Sequence, residues 1–96
     1  MNVDALESFI DETIRRAKAA GYHPTAFIAM RQRRGTVTTI EKLVQSGEVQ
    51  SGFKRLKELG LLEWSIEAAV RKFPNRFSRD TCDCAAFRLD VLAKEA

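Results

Sequence analysis

Two cysteines, one histidine and a run of arginines carry most of the reactive or charged potential in this 96-residue sequence. Cys82-Asp83-Cys84 sets two thiols two residues apart. On a helix such positions diverge by about 200°, so the pair is poorly placed to share a metal. A zinc site asks for four ligands, and the remaining supply is the distant His23. No metal and no cofactor are expected; one thiol should be buried as a small apolar group and the other more exposed. His23 precedes Pro24 with no acid or activated group beside it, and reads as a turn residue rather than a base. Asp11 and Glu12 fall among helix-face charges, and Asp80 and Asp83 fall where a helix N-terminus favours acids. The five glycines are dispersed and form no phosphate loop. No catalytic residue is assigned, and the chain is not expected to be an enzyme.

The basic residues are the sharper signal. The net charge is +3, distributed unevenly. Residues 1–20 hold four acids and three bases, residues 21–60 three acids and seven bases, and residues 61–96 six of each. A positive middle third suits nucleic acid or an acidic protein surface, as it also suits a plain solvated face. Its members are Arg31, Arg33 and Arg34, then Gln50, Lys54, Arg55 and Lys57. The arginines close a predicted helix, where the helix dipole favours cations without any ligand. Gln50, Lys54 and Arg55 open the stretch Gln50–Ser65, a basic helix ending in Glu-Leu-Gly-Leu-Leu. That pattern looks like the recognition helix of a winged-helix domain, with Gln and Arg reading bases and Lys neutralising phosphates. The wing is missing, because Ser65 and the residues after it start another helix instead of a hairpin. A wingless helix-turn-helix, and an amphipathic helix with a solvated basic face, both stay open.

These residues need a scaffold, and the periodicity predicts an all-α one: a compact bundle of five or six short helices in a single domain over residues 1–96. A first helix over residues 2–20 has Asn2 as N-cap and Val3, Leu6, Ile10, Thr13 or Ile14, and Ala17 as its stripe. A second covers residues 24–34 and stops at Gly35. A third covers residues 37–46, capped by Thr36 and ended by Gly47. The fourth, about residues 49–59, carries Phe53, Leu56 and Leu59 on one face, stops at Gly60, and is expected to be the central packing helix. Ser65 caps a fifth helix that Pro74 ends, and Ser78 caps the last. The expected core draws on Leu6, Ile10 and Ile14, on Phe27 and Met30, and on Ile40 and Leu43. It continues through Phe53, Leu56, Leu59 and Leu62 to Ile66, Val70, Phe77 and Leu89. Trp64 is expected to be largely buried with its indole N–H paired. Phe87 and Val91 either widen the last stripe or lie on a second face.

Composition bounds the setting. An apolar fraction of 45% and a charged fraction of 30% describe an ordinary globular chain. No apolar run approaches the ~20 residues that span a bilayer, and acids stand where a signal peptide would carry bases. Two cysteines make no disulfide framework. A cytoplasmic protein without a membrane partner is expected.

Across residues 20–92 the motifs Gly21-Tyr22-x-Pro24-Thr25-x-Phe27 and Gly52-Phe53-x-x-Leu56-x-Glu58-Leu59-Gly60-x-Leu62-x-x-Ser65-x-Glu67 are well spaced. In these the chain resembles a small uncharacterised all-helical bacterial domain. That domain occurs alone or as a tail on larger proteins, some of restriction or other nuclease type. Arg76-Phe77-Ser78-Arg79-Asp80 is similar to that family's cap before its last helix, while Cys82-Asp83-Cys84 is a departure. The resemblance implies a helical module in a nucleic-acid or defence context and assigns no chemistry. The sequence supports three functions: a non-catalytic interaction module accessory to a nuclease or other DNA-acting protein, a helix-turn-helix-like DNA binder, and a small phage-type inhibitor or regulator of a host protein. The partners are protein, nucleic acid or both, with no small-molecule substrate evident.

Overall fold

The computed structural model describes residues 4–46 and 51–94. Six α-helices follow one another: α1 (Ala5–Ala19), α2 (Thr25–Arg34), α3 (Thr36–Val44), α4 (Ser51–Glu58), α5 (Ile66–Lys72) and α6 (Arg79–Asp90). One-turn 3₁₀ segments lie at Leu62–Trp64, Pro74–Arg76 and Leu92–Lys94. The described residues contain no strand, so the chain is the all-α bundle its periodicity predicts. Its radius of gyration of 12.5 Å is that of a compact chain of this length.

The core is assembled from four helices. Leu6 and Ile10 of α1, Ile40 and Val44 of α3, Ala69 and Val70 of α5, and Ala85 of α6 are buried together. Phe77 joins them from the turn before α6. Each large aliphatic side chain there contributes about 1.5–3 kcal/mol relative to exposure. Phe9, absent from the predicted stripe, is also in this cluster. It stacks on Trp64 with ring centroids 4.9 Å apart and meets Phe73 edge-on at 6.0 Å. Trp64 itself is partly buried and packs against this cluster. Its outer face is covered by the Arg16 guanidinium, 4.3 Å from the ring centroid.

Several expectations move. Asp4, not Asn2, caps α1: its Oδ1 accepts from the N–H groups of Leu6 (2.9 Å) and Glu7 (3.3 Å). Two neighbouring residues satisfy the same capping rule, and only the helix start decides between them. Thr36 is the first residue of α3 and not its cap. The cap is Gly35, which ends α2 and starts α3 at φ 85°, ψ 164°. Such a backbone is open essentially to glycine alone, and it lets two helices meet without a linker.

The fourth helix is not the central one. Phe53 and Leu56 are buried, but they lie outside the main buried cluster. α2 contributes no buried residue at all; Phe27, Ile28 and Met30 are half-buried. Leu43, Leu59, Leu62, Ile66 and Leu89 are likewise half-buried. α2 and α4 therefore form the margin of the bundle. Gly60 closes α4 as expected. With φ 72° it lets its own N–H reach the Lys57 carbonyl (3.1 Å) and that of Leu61 reach Leu56 (2.8 Å).

The C-terminal half is capped as its serines suggest. Ser65 Oγ accepts from the Ala68 N–H (3.1 Å) and donates to the Leu62 carbonyl (2.7 Å). Ser78 Oγ accepts from the Thr81 N–H (3.2 Å). Glu41 of α3 reinforces that end, accepting from the Ser78 N–H (2.7 Å) and from Thr81 Oγ1 (3.2 Å). Phe87 of α6 and Val91, which follows the helix as its C-cap, are exposed.

Candidate interaction surface

The predicted basic residues divide into three groups. Arg31 is committed to the protein itself. Its Nη2 donates to Glu7 Oε1 (2.6 Å), its Nη1 to Asp11 Oδ1 (2.8 Å) and its Nε to Thr36 Oγ1 (2.9 Å). Thr36 Oγ1 in turn donates to Glu7 Oε1 (2.5 Å). Burial works against the Arg31 charge, and the bonds to Glu7 and Asp11 outweigh it, so its pKa stands above the ordinary arginine value. One guanidinium thus clasps α1, α2 and α3, and little of it is left for a ligand.

Arg33 and Arg34 form the second group. They are exposed in the last turn of α2 and make no ion pair among the described residues. The third group is α4. Lys54 is exposed without an ion pair among the described residues, Arg55 is exposed and pairs with Glu58 at 3.2 Å, and Lys57 is half-buried. Gln50 lies outside the described residues.

Between these groups lies a cleft of about 160 Å³. α1 contributes Ile14 and Ala17 to it, α2 contributes Ala26, Phe27 and Met30, and α4 contributes Gly52, Phe53 and Leu56. Gly52, in the first turn of α4, has a local reason to lack a side chain. A Cβ there would stand 2.9 Å from the Tyr22 hydroxyl, which lines the same cleft.

Glu67, a first-turn acid of α5, also lines the cleft. It is 1% exposed, and its Oε2 accepts from Arg88 Nη1 at 2.7 Å. Burial pushes the Glu67 carboxyl up, and the hydrogen bond from Arg88 pulls against that. Arg88 Nη2 also donates to the carbonyls of Leu43 (3.1 Å) and Ser46 (3.0 Å), so it caps the end of α3. The signal for this pair was in the register. Arg88 lies three residues beyond Ala85 and seven beyond Thr81, on the buried side of α6.

The remaining reactive side chains come together nowhere. His23 is exposed in the turn before α2. Cys82 and Cys84 are free thiols, both half-buried, and Cys82 Sγ lies 3.7 Å from the Pro74 carbonyl. Among the described residues no group of three or more His, Cys, Asp or Glu side chains is placed to hold a metal ion. After Gly60 the chain runs into a 3₁₀ turn and α5, so the hairpin of a winged helix is not formed there. No described helix is long and apolar enough to cross a membrane. Comparison with known proteins finds no family model, no curated protein and no solved structure that matches the chain.

Proposed function

We propose that the chain is a non-catalytic helical interaction module, accessory to a nuclease or other DNA-acting protein, that receives an acidic partner on the basic margin formed by α2 and α4. One observation carries this reading. Arg15, Arg16, Arg31, Arg55, Arg71, Arg76 and Arg88 are all in ion pairs with acids of the same chain. Arg79 is exposed and makes none among the described residues, but it stands singly on α6; Arg33 and Arg34 are exposed, make none among the described residues and are adjacent, and Lys54 makes none either. Cations left over in this way, beside an apolar cleft, suit an external anionic surface.

The test is a triple charge reversal, Arg33→Glu, Arg34→Glu and Lys54→Glu, in the full chain. Far-UV circular dichroism should be unchanged. Binding to an acidic peptide or a duplex of about 20 base pairs, with the salt dependence expected of phosphate or carboxylate contacts, should be lost. Unaltered binding of both ligands would overturn the reading.

A second reading, a helix-turn-helix-like DNA binder, draws on the succession of α3 and α4 and on Lys54 and Arg55 at the surface of α4. It expects salt-dependent duplex binding that Lys54→Ala and Arg55→Ala weaken. No duplex binding at low salt would eliminate it.

A further inference from the structure

The cleft and the free arginine pair are parts of one helical face. Ala26, Phe27 and Met30 of α2 line the cleft. Arg33 and Arg34 follow Met30 by three and four residues, which stacks them on the same side of the helix about one turn, or roughly 5 Å, further along.

From this juxtaposition we infer that the cleft takes the apolar anchor of an acidic amphipathic helix, whose carboxylates one turn away lie on Arg33 and Arg34. The inference rests on the reading of the chain as an interaction module, and it names the chemistry of the partner. The cleft volume of about 160 Å³ suits a single large side chain; a cavity of about 150 Å³ is known to admit benzene. The lining is apolar except for Glu67, Thr13 and the Tyr22 hydroxyl. Glu67 is already matched by Arg88, and it repels a second carboxylate, so the inserted group is an uncharged apolar one. Glutamates on the next turn of the partner meet the arginines instead. This is helix-in-groove recognition, with an anchor in a pocket and charges at the rim. A nucleic-acid duplex satisfies the arginines and leaves the cleft empty, so filling of the cleft separates the two.

The experiment uses the full chain and fluorescein-labelled peptides of about 16 residues. One is a helical peptide with leucines at i and i+4 on one face and glutamates flanking them. A second has those leucines replaced by alanine. A labelled duplex of about 20 base pairs is the third probe. Fluorescence anisotropy is read for the wild type, Ala26→Glu, the double variant Arg33→Glu/Arg34→Glu, and Arg79→Glu as an exposed control. Ala26 is exposed and near the start of α2, where an acid is tolerated, so Ala26→Glu alters the cleft mouth without touching the core.

The leucine peptide should bind, and the alanine peptide, Ala26→Glu and the arginine double variant should each weaken binding about tenfold or more, as for an anchor residue. Arg79→Glu should stay within about twofold, as for a charge outside the contact. Equal binding of the two peptides, or indifference to Ala26→Glu with loss on arginine reversal, overturns the cleft inference and leaves the module reading standing. Binding of the duplex alone overturns it in favour of the DNA reading. Indifference of every probe to arginine reversal overturns the module reading as well.

Discussion

Replacing Arg88 by methionine is the strongest test of how this bundle is held. Arg88 and Glu67 have side chains 4% and 1% exposed and meet at 2.7 Å. Arg88→Met leaves the Glu67 carboxylate buried without its partner, a loss of about 3–5 kcal/mol. It also removes the donor from the Leu43 and Ser46 carbonyls, at about 1 kcal/mol for each bond. A domain of this size has about 5–15 kcal/mol in total, so the single change removes a large share of it. At roughly 5 °C per kcal/mol the melting temperature should fall by about 25–35 °C.

The assay is urea denaturation at pH 7 followed by circular dichroism, on Arg88→Met, Glu67→Met and the double variant. Removing both charges eliminates the unpaired ion, since an apolar pair in place of a buried ion pair is close to neutral. The double variant should therefore be more stable than Arg88→Met alone, short of wild type by about 1–2 kcal/mol for the two carbonyls. The reasoning is refuted if Arg88→Met lies within about 1 kcal/mol of wild type, the span of an ordinary surface change. It is equally refuted if the double variant loses the sum of the two singles.

Three further outcomes are expected. Gly35→Ala should cost about 1–3 kcal/mol through backbone strain alone, because nothing lies within 4 Å of a Cβ at that position; denaturant melts would check it. Thr39 Oγ1 is buried without a hydrogen-bond partner among the described residues. The isosteric Thr39→Val should therefore stabilise by about 1 kcal/mol, and a loss of stability in the same melts would contradict the assignment. The hydrogen bond from Arg15, with a lesser one from Arg16, holds the Glu12 carboxyl down to about 2, against the opposing effect of burial. A carboxyl lowered on folding adds stability above its unfolded value near 4.5, and that increment is lost as pH falls through about 2. Glu12→Gln should flatten this acid limb, and carboxyl-carbon NMR should place the Glu12 midpoint near the lower end.

What could be read in advance was what depends on near neighbours in the chain. Ser65 and Ser78 cap through bonds to residues three positions on, and Gly60 ends α4 as its own N–H and that of Leu61 reach carbonyls three and five residues back. Such motifs are complete within a few residues of sequence. Arg31 shows the opposite case. It stands two residues from Arg33 with the same charge, yet its partners Glu7 and Asp11 lie 24 and 20 residues away. Nothing local separates the arginine that clasps three helices from the two that face solvent. Phe27 and Met30 were legible as apolar but not as cleft walls, because that depends on how closely α4 approaches α2. Glu67 is a similar case: it is indeed a first-turn acid, as is common at any helix start, and only its partner 21 residues on makes it a buried ion.

The grip of Arg88 on α3 also bears on the order in which the chain can assemble. The Arg31 clasp joins groups no more than 29 residues apart, so α1, α2 and α3 can associate while the rest of the chain is still being made. The Leu43 carbonyl in the last turn of α3 and the Ser46 carbonyl just beyond it wait for a donor 42 to 45 residues later. Docking of α6 is thus the expected closing step, and it secures the end of α3 from which the chain leads to α4. Native-state hydrogen exchange should show the last turn of α3 and the middle of α6 opening together; independent opening would contradict this order. In these terms the bundle has no separable half: the helix that completes it also holds the root of one wall of the cleft.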